Sequence, residues 1–317
     1  MRSFGEMKKF EIIASAPCEA WAQELQRRYP EFFRYHETTW GKFPDGTDNI
    51  KLGGFNPDNY IRGSHVIFLA CFENNSATLT QLYACIALLE SLIESLTIVL
   101  PFYPVGTMER VVVEGEVATA NTLARLLSSL PACGKPTRVL LYDLHTLQNR
   151  FYLSNHAVAT LHSSIPLLLK ELMENHREID VVAFPDDGAA KRFGYMFREF
   201  HQVVCGKKRE GEKRKVTIMD GDPSGKNIVI VDDLVQSGGT LYECGRALQE
   251  AGANKISAFV AHGVFPNESW KRFANGGDRC IFDPFWVTNS IPTVACQLPK
   301  QDVFHVLDLL PQIVEDL

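Results

Sequence analysis

The sequence predicts an α/β fold that consists of two doubly wound domains, each built around a parallel sheet. Short runs of consecutive apolar residues, rich in Val, Ile and Leu, recur along the chain, as expected for strands that are buried on both faces. Segments with the helical spacing of apolar residues separate these runs. The length of 317 residues suits about two domains of ordinary size.

The predicted elements alternate along the chain. In order, the predicted strands are HVIFLACF (65–72), LTIVLPFY (96–103), RVLLYDL (138–144), DVVAFP (180–185), NIVIVDD (227–233) and KISAFVAHG (255–263). The predicted helices are TLTQLYACIALLESLIES (78–95), TANTLARLLSSL (119–130), IPLLLKELMENH (165–176) and TLYECGRALQEAG (240–252). Such alternation is typical of a parallel sheet with helices on both faces. We place an N-terminal domain at 1–155 and a C-terminal domain at 156–302, and expect a helix over 303–317 to pack on the N-terminal domain.

Composition and charge exclude several classes of protein. Hydrophobic residues make up 45% of the chain and charged residues 22%, the ordinary globular mixture. A formal net charge of -6 argues against a nucleic-acid-binding surface, and no apolar stretch is long enough to span a membrane. The start, MRSFGEMKKF, lacks the apolar core of a secretory signal. We therefore expect a cytoplasmic protein, and an organelle stays open because a cleaved targeting segment would leave no trace here.

The cysteines predict a reducing compartment. None are in C-x-x-C spacing, and no Cys/His cluster has the spacing of a zinc site. We expect free, mostly buried thiols. The eight positions are Cys18, Cys71, Cys85, Cys133, Cys205, Cys244, Cys280 and Cys296.

The strongest motif is NIVIVDDLVQSGGTLYECGRAL, residues 227–248. A buried strand brings Asp232 and Asp233 to its carboxyl end, and Ser237-Gly238-Gly239-Thr240 then turns the chain into a helix. Glycine lets the backbone approach a ligand closely, and the amides at a helix N-terminus bind phosphate. Two carboxylates would repel that phosphate unless they accept hydrogen bonds from neighbouring sugar hydroxyls. The pattern favours a ribose 5-phosphate site over a plain turn with solvated aspartates, and it lacks both the Walker A lysine and the G-x-G-x-x-G loop.

VIVDDLVQSGGT resembles the phosphoribosyl-binding signature that type I phosphoribosyltransferases share with phosphoribosyl pyrophosphate synthetases. The resemblance implies a type I phosphoribosyltransferase-like fold for the two domains. This motif by itself does not separate the two families, so the choice between their reactions depends on the rest of the chain.

Two further strand ends resemble segments of the synthetases. In LLYDLHTLQNRF, Asp143-Leu144-His145 resembles the D-L-H-x-x-Q segment whose histidine ligates the catalytic magnesium, which implies His145 as a metal ligand. Taken alone, a histidine here is more often a hydrogen-bonded structural residue. FPDDGAAKRFG resembles the P-D-x-G diphosphate loop, which implies Asp186 as a metal-site residue and Asp187 and Gly188 as part of that loop. From the residues alone, an exposed turn capped by aspartate is an equal alternative.

The basic run GKKREGEKRK, 206–215, contains no apolar residue and predicts a mobile surface loop. Such a run most often forms a solvated surface. A second interpretation is a role in diphosphoryl transfer, because mobile cations stabilise the charge on the transferring group. The run resembles the flexible catalytic loop of the synthetases, whose Lys-x-Arg pair implies Lys207 and Arg209 as catalytic residues.

Two segments resemble nucleotide-binding parts of the synthetases. WGKFPDGTDNI resembles an F-x-D-G-E loop that contacts the adenine of ATP on a neighbouring subunit, which implies roles for Phe43 and Asp45, whereas Thr47 replaces the glutamate. PFYPVGTMERV, 101–111, resembles the plant-type class II pattern and implies Arg110 as a nucleotide contact. By resemblance, class II enzymes are less strict about the nucleotide donor and do not require inorganic phosphate.

Together these motifs imply a ribose-phosphate diphosphokinase. Such an enzyme uses Mg²⁺ and transfers the β,γ-diphosphoryl group of ATP to the 1-hydroxyl of ribose 5-phosphate, giving 5-phosphoribosyl 1-pyrophosphate and AMP for nucleotide biosynthesis. The resemblance also implies a homo-oligomer built from dimers, and nothing indicates a nucleic-acid or membrane partner. Two alternatives stay open, a non-catalytic synthetase-associated regulatory subunit and a phosphoribosyltransferase.

Overall fold

A computed structural model describes residues 9–154, 156–176, 178–210 and 213–317, with the backbone alone at 208–210 and 213–215. The chain divides into two compact units, Met1–His162 and Ser163–Leu317. The division falls at 162/163, whereas the sequence placed it at 155/156, because the strand Ala157–His162 pairs with the sheet of the first unit.

The first unit contains eight strands and three α-helices among its described residues. The strands are β1 (Phe10–Ala14), β2 (Phe33–Tyr35), β3 (Thr39–Lys42), β4 (Asp48–Lys51), β5 (His65–Leu69), β6 (Ser95–Val99), β7 (Thr137–Tyr142) and β8 (Ala157–His162). The helices are α1 (Glu19–Arg28), α2 (Asn75–Glu90) and α3 (Thr119–Ser128).

Six of these strands form one parallel sheet, in the order β2-β1-β5-β6-β7-β8. β3 and β4 pair separately as an antiparallel hairpin. From β1 the next strand of the sheet, β2, is added on one side, whereas β6, β7 and β8 follow β5 on the opposite side. The strand order therefore reverses between β1 and β5. This is the doubly wound arrangement, in which the carboxyl ends at the reversal form a crevice.

The second unit contains seven strands and five α-helices among its described residues. The strands are β9 (Val181–Phe184), β10 (His201–Glu210), β11 (Lys213–Asp220), β12 (Asn227–Val235), β13 (Lys255–Gly263), β14 (Phe285–Thr288) and β15 (Phe304–Leu307). The helices are α4 (Ile165–Asn175), α5 (Asp187–Phe193), α6 (Gly239–Glu250), α7 (Pro292–Ala295) and α8 (Leu310–Asp316).

The seven strands form one sheet in the order β11-β10-β9-β12-β13-β14-β15, parallel except for the β10–β11 pair. Strand β12 lies in the middle and is buried on both faces. Its Ile228 and Ile230 belong to the apolar cluster that includes Leu241 of α6. Its Val229 and Val231 belong to the cluster on the other face. This explains why the strand is a continuous apolar run rather than an alternating one.

The predicted α/β class with parallel sheets is confirmed, as are the six strands and four helices that the apolar patterns predicted. For example, the helix expected at 240–252 spans Gly239–Glu250, and the strand expected at 227–233 spans Asn227–Val235. No helix in the described ranges has both the length and the apolarity needed to cross a membrane.

The basic segment 206–215 differs from the prediction of a mobile loop. Its described residues extend β10 and begin β11, and Lys207 pairs with Val216 while Lys208 pairs with Lys215. The sequence pattern did not predict this hairpin, because its charged residues follow one another without the apolar alternation that marks a strand. Backbone pairing next to a buried parallel strand, β9, supplies the missing stabilisation.

The C-terminal segment also differs from the prediction of a helix over 303–317. Phe304–Leu307 is a strand that pairs with β14, and only Leu310–Asp316 is helical. The whole segment belongs to the second unit. The strand is short, and its partner Phe285–Thr288 is buried, so sheet pairing overrides any local helical tendency.

Candidate active site

The strand order of the second unit reverses between β9 and β12, and the carboxyl ends of these two strands carry the acidic residues that the sequence singled out. Asp186 follows β9, and Asp232 and Asp233 lie near the end of β12. The reversal is where ligands bind in open α/β sheets, outside the carboxyl ends of the strands. The structure therefore brings together two predicted groups that are 46 positions apart, 186 and 232.

Asp186 begins the diphosphate loop as the N-cap of α5. Its extended backbone lets Oδ1 accept a hydrogen bond from the amide of Ala189 at 2.9 Å. A Cβ on Gly188 would lie 3.1 Å from that same oxygen, so glycine keeps the cap uncrowded. Asp187 forms an exposed ion pair with Lys191 at 2.5 Å. The cap fixes Asp186 and leaves its second carboxylate oxygen available to a ligand.

The ionised form of Asp232 is disfavoured. Loss of solvation raises the pKa of this carboxyl well above its usual range, and the nearby charges of Asp233 and Asp186 raise it further. One of its oxygens accepts a hydrogen bond from the amide of Asp233 at 2.9 Å. Three carboxyl groups that repel one another in a poorly solvated place favour the binding of a cation or of hydroxyl donors.

Arg192 of α5 reaches the acidic pair from the diphosphate-loop helix. Its Nη1 lies 3.6 Å from Oδ2 of Asp233, and the two side chains are only 14% and 8% exposed. Its guanidinium also covers the ring of Phe193 at 4.8 Å. The sequence analysis gave this arginine no role. Its position one helical turn after Gly188 could have suggested a role at the diphosphate loop. Its partner Asp233 becomes apparent only because β9 and β12 are neighbours in the sheet.

The loop after β12 forms a cradle of backbone amides. Gly238 has φ 71° and precedes the first turn of α6, which begins at Gly239. A Cβ at Gly238 would lie 2.2 Å from Cζ of Phe273, so neither the conformation nor the space admits a side chain. At Gly239 no atom lies within 4 Å of such a Cβ. The twelve-residue helix directs its first amides and its positive end toward this loop.

Two contacts hold the outside of this loop, and sequence reasoning found neither. Nη1 of Arg279 donates to the carbonyl of Ser237 at 2.8 Å, and Oγ of Ser269 donates to the carbonyl of Gln236 at 3.0 Å. Arg279 also covers the ring of Tyr242 at 5.3 Å. These two bonds satisfy the loop carbonyls of Gln236 and Ser237, so the loop keeps its shape without using the amides at 237–240 for them.

Lys207 connects the basic hairpin to this loop. Its Nζ lies 3.4 Å from Oγ1 of Thr240, the last residue of the predicted phosphate cradle. A cation therefore stands beside the hydroxyl and amide donors, as a phosphate site requires. The second predicted cation, Arg209, lies on β10, and its side chain falls outside the described part of the structure.

The other predicted metal ligand, His145, belongs to the first unit. It follows β7 and is exposed, whereas Asp143 before it is 2% exposed and has φ 39°. The Asp143 amide donates to the carbonyl of His162 at 3.0 Å. A non-glycine residue with positive φ is strained, and such strain is common where a fold must aim a functional side chain.

The predicted nucleotide residues lie on two segments of the first unit. Phe43 and Asp45 lie at the tip of the β3–β4 hairpin, where Phe43 is 50% exposed. Asp45 accepts hydrogen bonds from the Thr47 hydroxyl at 2.6 Å and the Thr47 amide at 2.9 Å, and these bonds lower the pKa of Asp45. Thr47 thus orders the turn in place of the missing glutamate. Arg110 is exposed between β6 and α3 and pairs with Glu109 at 2.9 Å.

The metal chemistry of the second unit fits Mg²⁺. Within the described ranges, no three His, Cys, Asp or Glu side chains form a closed metal cage. The available donors are carboxylate oxygens, which Mg²⁺ prefers, and Mg²⁺ commonly takes one or two of them and fills its other positions with water and phosphate oxygens. Burial and the neighbouring carboxylates raise the pKa of Asp232, so a cation bound here would be stabilised by these oxygens.

Comparison with known proteins decides between the two families. The Phosphoribosyl transferase domain family matches residues 159–286. Ribose-phosphate pyrophosphokinase 4 of Oryza sativa subsp. japonica is 42% identical over 98% of this chain and 96% of its own length. The chain belongs to the ribose-phosphate pyrophosphokinase family.

Two more comparisons support that assignment. Ribose-phosphate pyrophosphokinase 3, chloroplastic, of the same plant is 45% identical over 88% of this chain and 69% of its own length. The crystal structure of a phosphoribosylpyrophosphate synthetase from Mycobacterium smegmatis superposes with a TM-score of 0.78 at 23% identity, covering 98% of this chain and 97% of that one. The ribose-phosphate pyrophosphokinase fold is thus shown, and the relatives are of the plant type that the sequence resembled.

Proposed function

We propose that the chain transfers the β,γ-diphosphoryl group of ATP to the 1-hydroxyl of ribose 5-phosphate, with 5-phosphoribosyl 1-pyrophosphate and AMP as products. The observation that carries the proposal is the convergence at one sheet edge of an amide cradle, an acidic pair and a cation. The cradle is 237–240, the pair is Asp232 and Asp233, and the cation is Lys207. Membership of the ribose-phosphate pyrophosphokinase family supports the same reaction.

In the proposed complex, the sugar phosphate lies on the amides of 237–240, and the ribose 2- and 3-hydroxyls donate to Asp232 and Asp233. Hydrogen bonds from these hydroxyls would compensate the poorly solvated carboxylates, so the sugar relieves a cost that the ligand-free protein bears. Arg192 keeps Asp233 in place. The protein's contribution is positioning, which suits a reaction that needs little covalent work from the enzyme.

Asp186 stays the predicted magnesium ligand in the second unit, with water and phosphate oxygens at the other positions, and His145 of the first unit stays a predicted ligand. A bound magnesium ion would neutralise charge on the diphosphate oxygens. Asp187 and Gly188 stay predicted parts of the diphosphate loop. Phe43, Asp45 and Arg110 stay predicted nucleotide contacts, and the exposure of Phe43 suits a residue that meets its ligand from outside.

Lys207 would stabilise the charge that spreads over the diphosphoryl oxygens during transfer, together with Arg209. In the ligand-free protein Lys207 lies beside Thr240, close to where the sugar phosphate would bind. We expect the double variant Lys207→Ala, Arg209→Ala to lose turnover by about 10²-fold or more while ribose 5-phosphate still binds.

Turnover is measured as AMP release from ATP and ribose 5-phosphate, and binding by calorimetry. The double variant Lys213→Ala, Lys215→Ala removes two positive charges from the other strand of the same hairpin and serves as the control. If both double variants lost turnover equally, net charge rather than these two side chains would be responsible. Unchanged turnover in the first variant would remove Lys207 and Arg209 from the mechanism.

The same assay separates the alternatives. A regulatory subunit would release no AMP, and a phosphoribosyltransferase would instead release pyrophosphate when a nucleobase and 5-phosphoribosyl 1-pyrophosphate are supplied. The relationship to named pyrophosphokinases over nearly the whole chain does not favour either alternative. We also expect turnover without added inorganic phosphate and with several nucleoside triphosphates, as the class II resemblance implies.

A homo-oligomer built from dimers, with nucleotide sites shared between subunits, is part of the proposal. Light scattering of the purified protein measures it directly. A cytoplasmic location is proposed as well, and an organelle is the competing location because one relative is named as chloroplastic. Fluorescent tagging at the C-terminus of the complete gene product distinguishes the two.

A further inference from the structure

Two buried cysteines of the second unit face each other across the elements that carry the proposed active site. Cys205 lies on β10 and Cys244 on α6, and they are 1% and 0% exposed. Their Sγ atoms are 3.3 Å apart, with the Cys244 thiol donating to the Cys205 sulfur. Both thiols are free and belong to the same apolar cluster.

The sulfur contact is one of two neighbouring non-covalent contacts between strand β10 and helix α6. Cys205 and Lys207 are two positions apart on a strand and therefore lie on one face. Thr240 and Cys244 are four positions apart on a helix and also share a face. The first contact joins the two sulfur atoms, and the second is the hydrogen bond from Lys207 Nζ to Thr240 Oγ1 at 3.4 Å. A covalent bond between the two sulfur atoms would therefore restrict the movement of Lys207, the proposed catalytic lysine, relative to the loop at 237–240.

The chemistry of the pair favours reaction at Cys205. Donation from the Cys244 thiol lowers the pKa of Cys205, whereas the same bond and burial raise the pKa of Cys244. A thiolate is the nucleophile in thiol–disulfide exchange, so Cys205 attacks first and Cys244 resolves.

We propose that Cys205 and Cys244 form a reversible disulfide that restrains the basic hairpin and lowers turnover. The sulfur of Cys205 attacks a low-molecular-weight disulfide such as oxidised glutathione, forming a mixed disulfide and releasing one glutathione thiolate. Cys244 then attacks the Cys205 sulfur, and its proton passes to the departing thiolate, which leaves as the second glutathione. Two protein thiols are oxidised and one external disulfide is reduced to two thiols, so atoms and electrons balance.

A bond between β10 and α6 would hold Lys207 at Thr240. The effect on activity rests on the proposed function, in which this lysine follows the diphosphoryl group during transfer. Formation of the bond does not rest on it, because the sulfur contact exists whatever the reaction. The two parts of the proposal are therefore measured separately.

The first measurement is chemical. The full-length protein is equilibrated with oxidised glutathione, free thiols are alkylated, and tryptic peptides are analysed by mass spectrometry. We expect a cross-linked peptide that joins Cys205 to Cys244 and disappears after dithiothreitol. Absence of this cross-link at any glutathione ratio, while the exposed Cys280 and Cys296 become modified, would overturn the proposal.

The second measurement is turnover before and after oxidation. Fully reduced protein tests the proposed function by itself, so its inactivity would count against that function and not against the disulfide. We expect oxidised protein to lose most of its turnover and to regain it with dithiothreitol. Cys205→Ala should be insensitive to oxidation, because it removes the attacking thiol. Cys244→Ala should form no cross-link and should instead retain glutathione on Cys205, which mass spectrometry detects.

The double variant Cys280→Ser, Cys296→Ser removes two exposed thiols and should keep the full sensitivity of the natural chain. Cys18→Ala tests the other buried pair, in which Cys18 contacts Cys71 in the first unit, and should also leave the sensitivity intact. A loss of turnover on oxidation that persists in Cys205→Ala, or a complete cross-link that leaves turnover unchanged, would refute control through this pair.

Discussion

Asp232 is a carboxyl group whose ionised form the ligand-free protein solvates poorly. Because its folded-state pKa is raised above the unfolded value, the stability associated with the protonated carboxyl is present at low pH and is lost as the pH rises through the folded-state pKa. Asp232→Asn removes this loss. We expect the variant to be more stable than the natural chain at pH 8 by on the order of 1 kcal/mol, and the difference to shrink toward pH 5.

Thermal unfolding from pH 5 to pH 9 measures this difference. Asp187→Asn is the control, because Asp187 is 73% exposed and its ion pair with Lys191 contributes little. The same Asp232 variant should bind ribose 5-phosphate poorly, which separates a residue kept for its ligand from one kept for stability. If Asp232→Asn were less stable than the natural chain at pH 8, ionisation of Asp232 would not be unfavourable in the folded protein.

Gly238 is a second residue whose identity the site dictates. A side chain there would need both positive φ and the space that the Phe273 ring occupies. We expect Gly238→Ala to destabilise the protein by about 1–3 kcal/mol and to weaken ribose 5-phosphate binding, because the loop must shift. Gly239→Ala should change stability little, since no atom lies within 4 Å of the added Cβ. Urea denaturation of the two variants compares them, and equal destabilisation would contradict the steric explanation.

At the scale of elements, α5 and β12 are linked by the ion pair between Arg192 and Asp233. Removing the arginine leaves a carboxylate that is 8% exposed without this partner, next to a second carboxyl that already resists ionisation. We expect Arg192→Ala to cost about 1–3 kcal/mol of stability. We also expect it to raise the KM for ribose 5-phosphate more than it lowers kcat, because the arginine positions Asp233 rather than touching the reacting atoms.

Lys191→Ala is the matched control, one position away on the same helix and 76% exposed. Arg192→Lys keeps the positive charge and should recover part of the KM. If Arg192→Ala lowered kcat with KM unchanged, the arginine would have to act on the transferring group itself. Chemical denaturation and steady-state kinetics on the same preparations distinguish these outcomes.

Also at this scale, the β10–β11 hairpin shows where sequence patterns fail. Six of the ten residues at 206–215 are Lys or Arg, and strand prediction depends on apolar alternation, which they lack. The hairpin forms because β10 pairs with the buried strand β9 and then continues past the edge of the sheet. The parallel strands were predictable for the opposite reason, because burial on both faces selects unbroken apolar runs such as Ile228–Val231.

For the whole molecule, ribose 5-phosphate should act as a stabilising ligand. A ligand that binds only the folded state at 100 times its Kd adds about 2.7 kcal/mol of stability. We expect thermal denaturation to shift upward with ribose 5-phosphate and to stay unchanged with ribose, because the amide cradle at 237–240 recognises the phosphate. An equal shift with both sugars would mean that the phosphate is not recognised there.

The sequence by itself determined the α/β class, the phosphate loop, the acidic pair and the family, because these depend on residues adjacent in the chain or one helical turn apart. The approach of Asp186 to Asp232, the ion pair of Arg192 with Asp233, the reach of Lys207 to Thr240 and the contact of Cys205 with Cys244 were decided only by the tertiary structure. Each joins residues that are 33 or more positions apart. They meet because β9 lies beside β12 and β10 beside β9, and strand order is set by the packing of the whole sheet rather than by any local pattern.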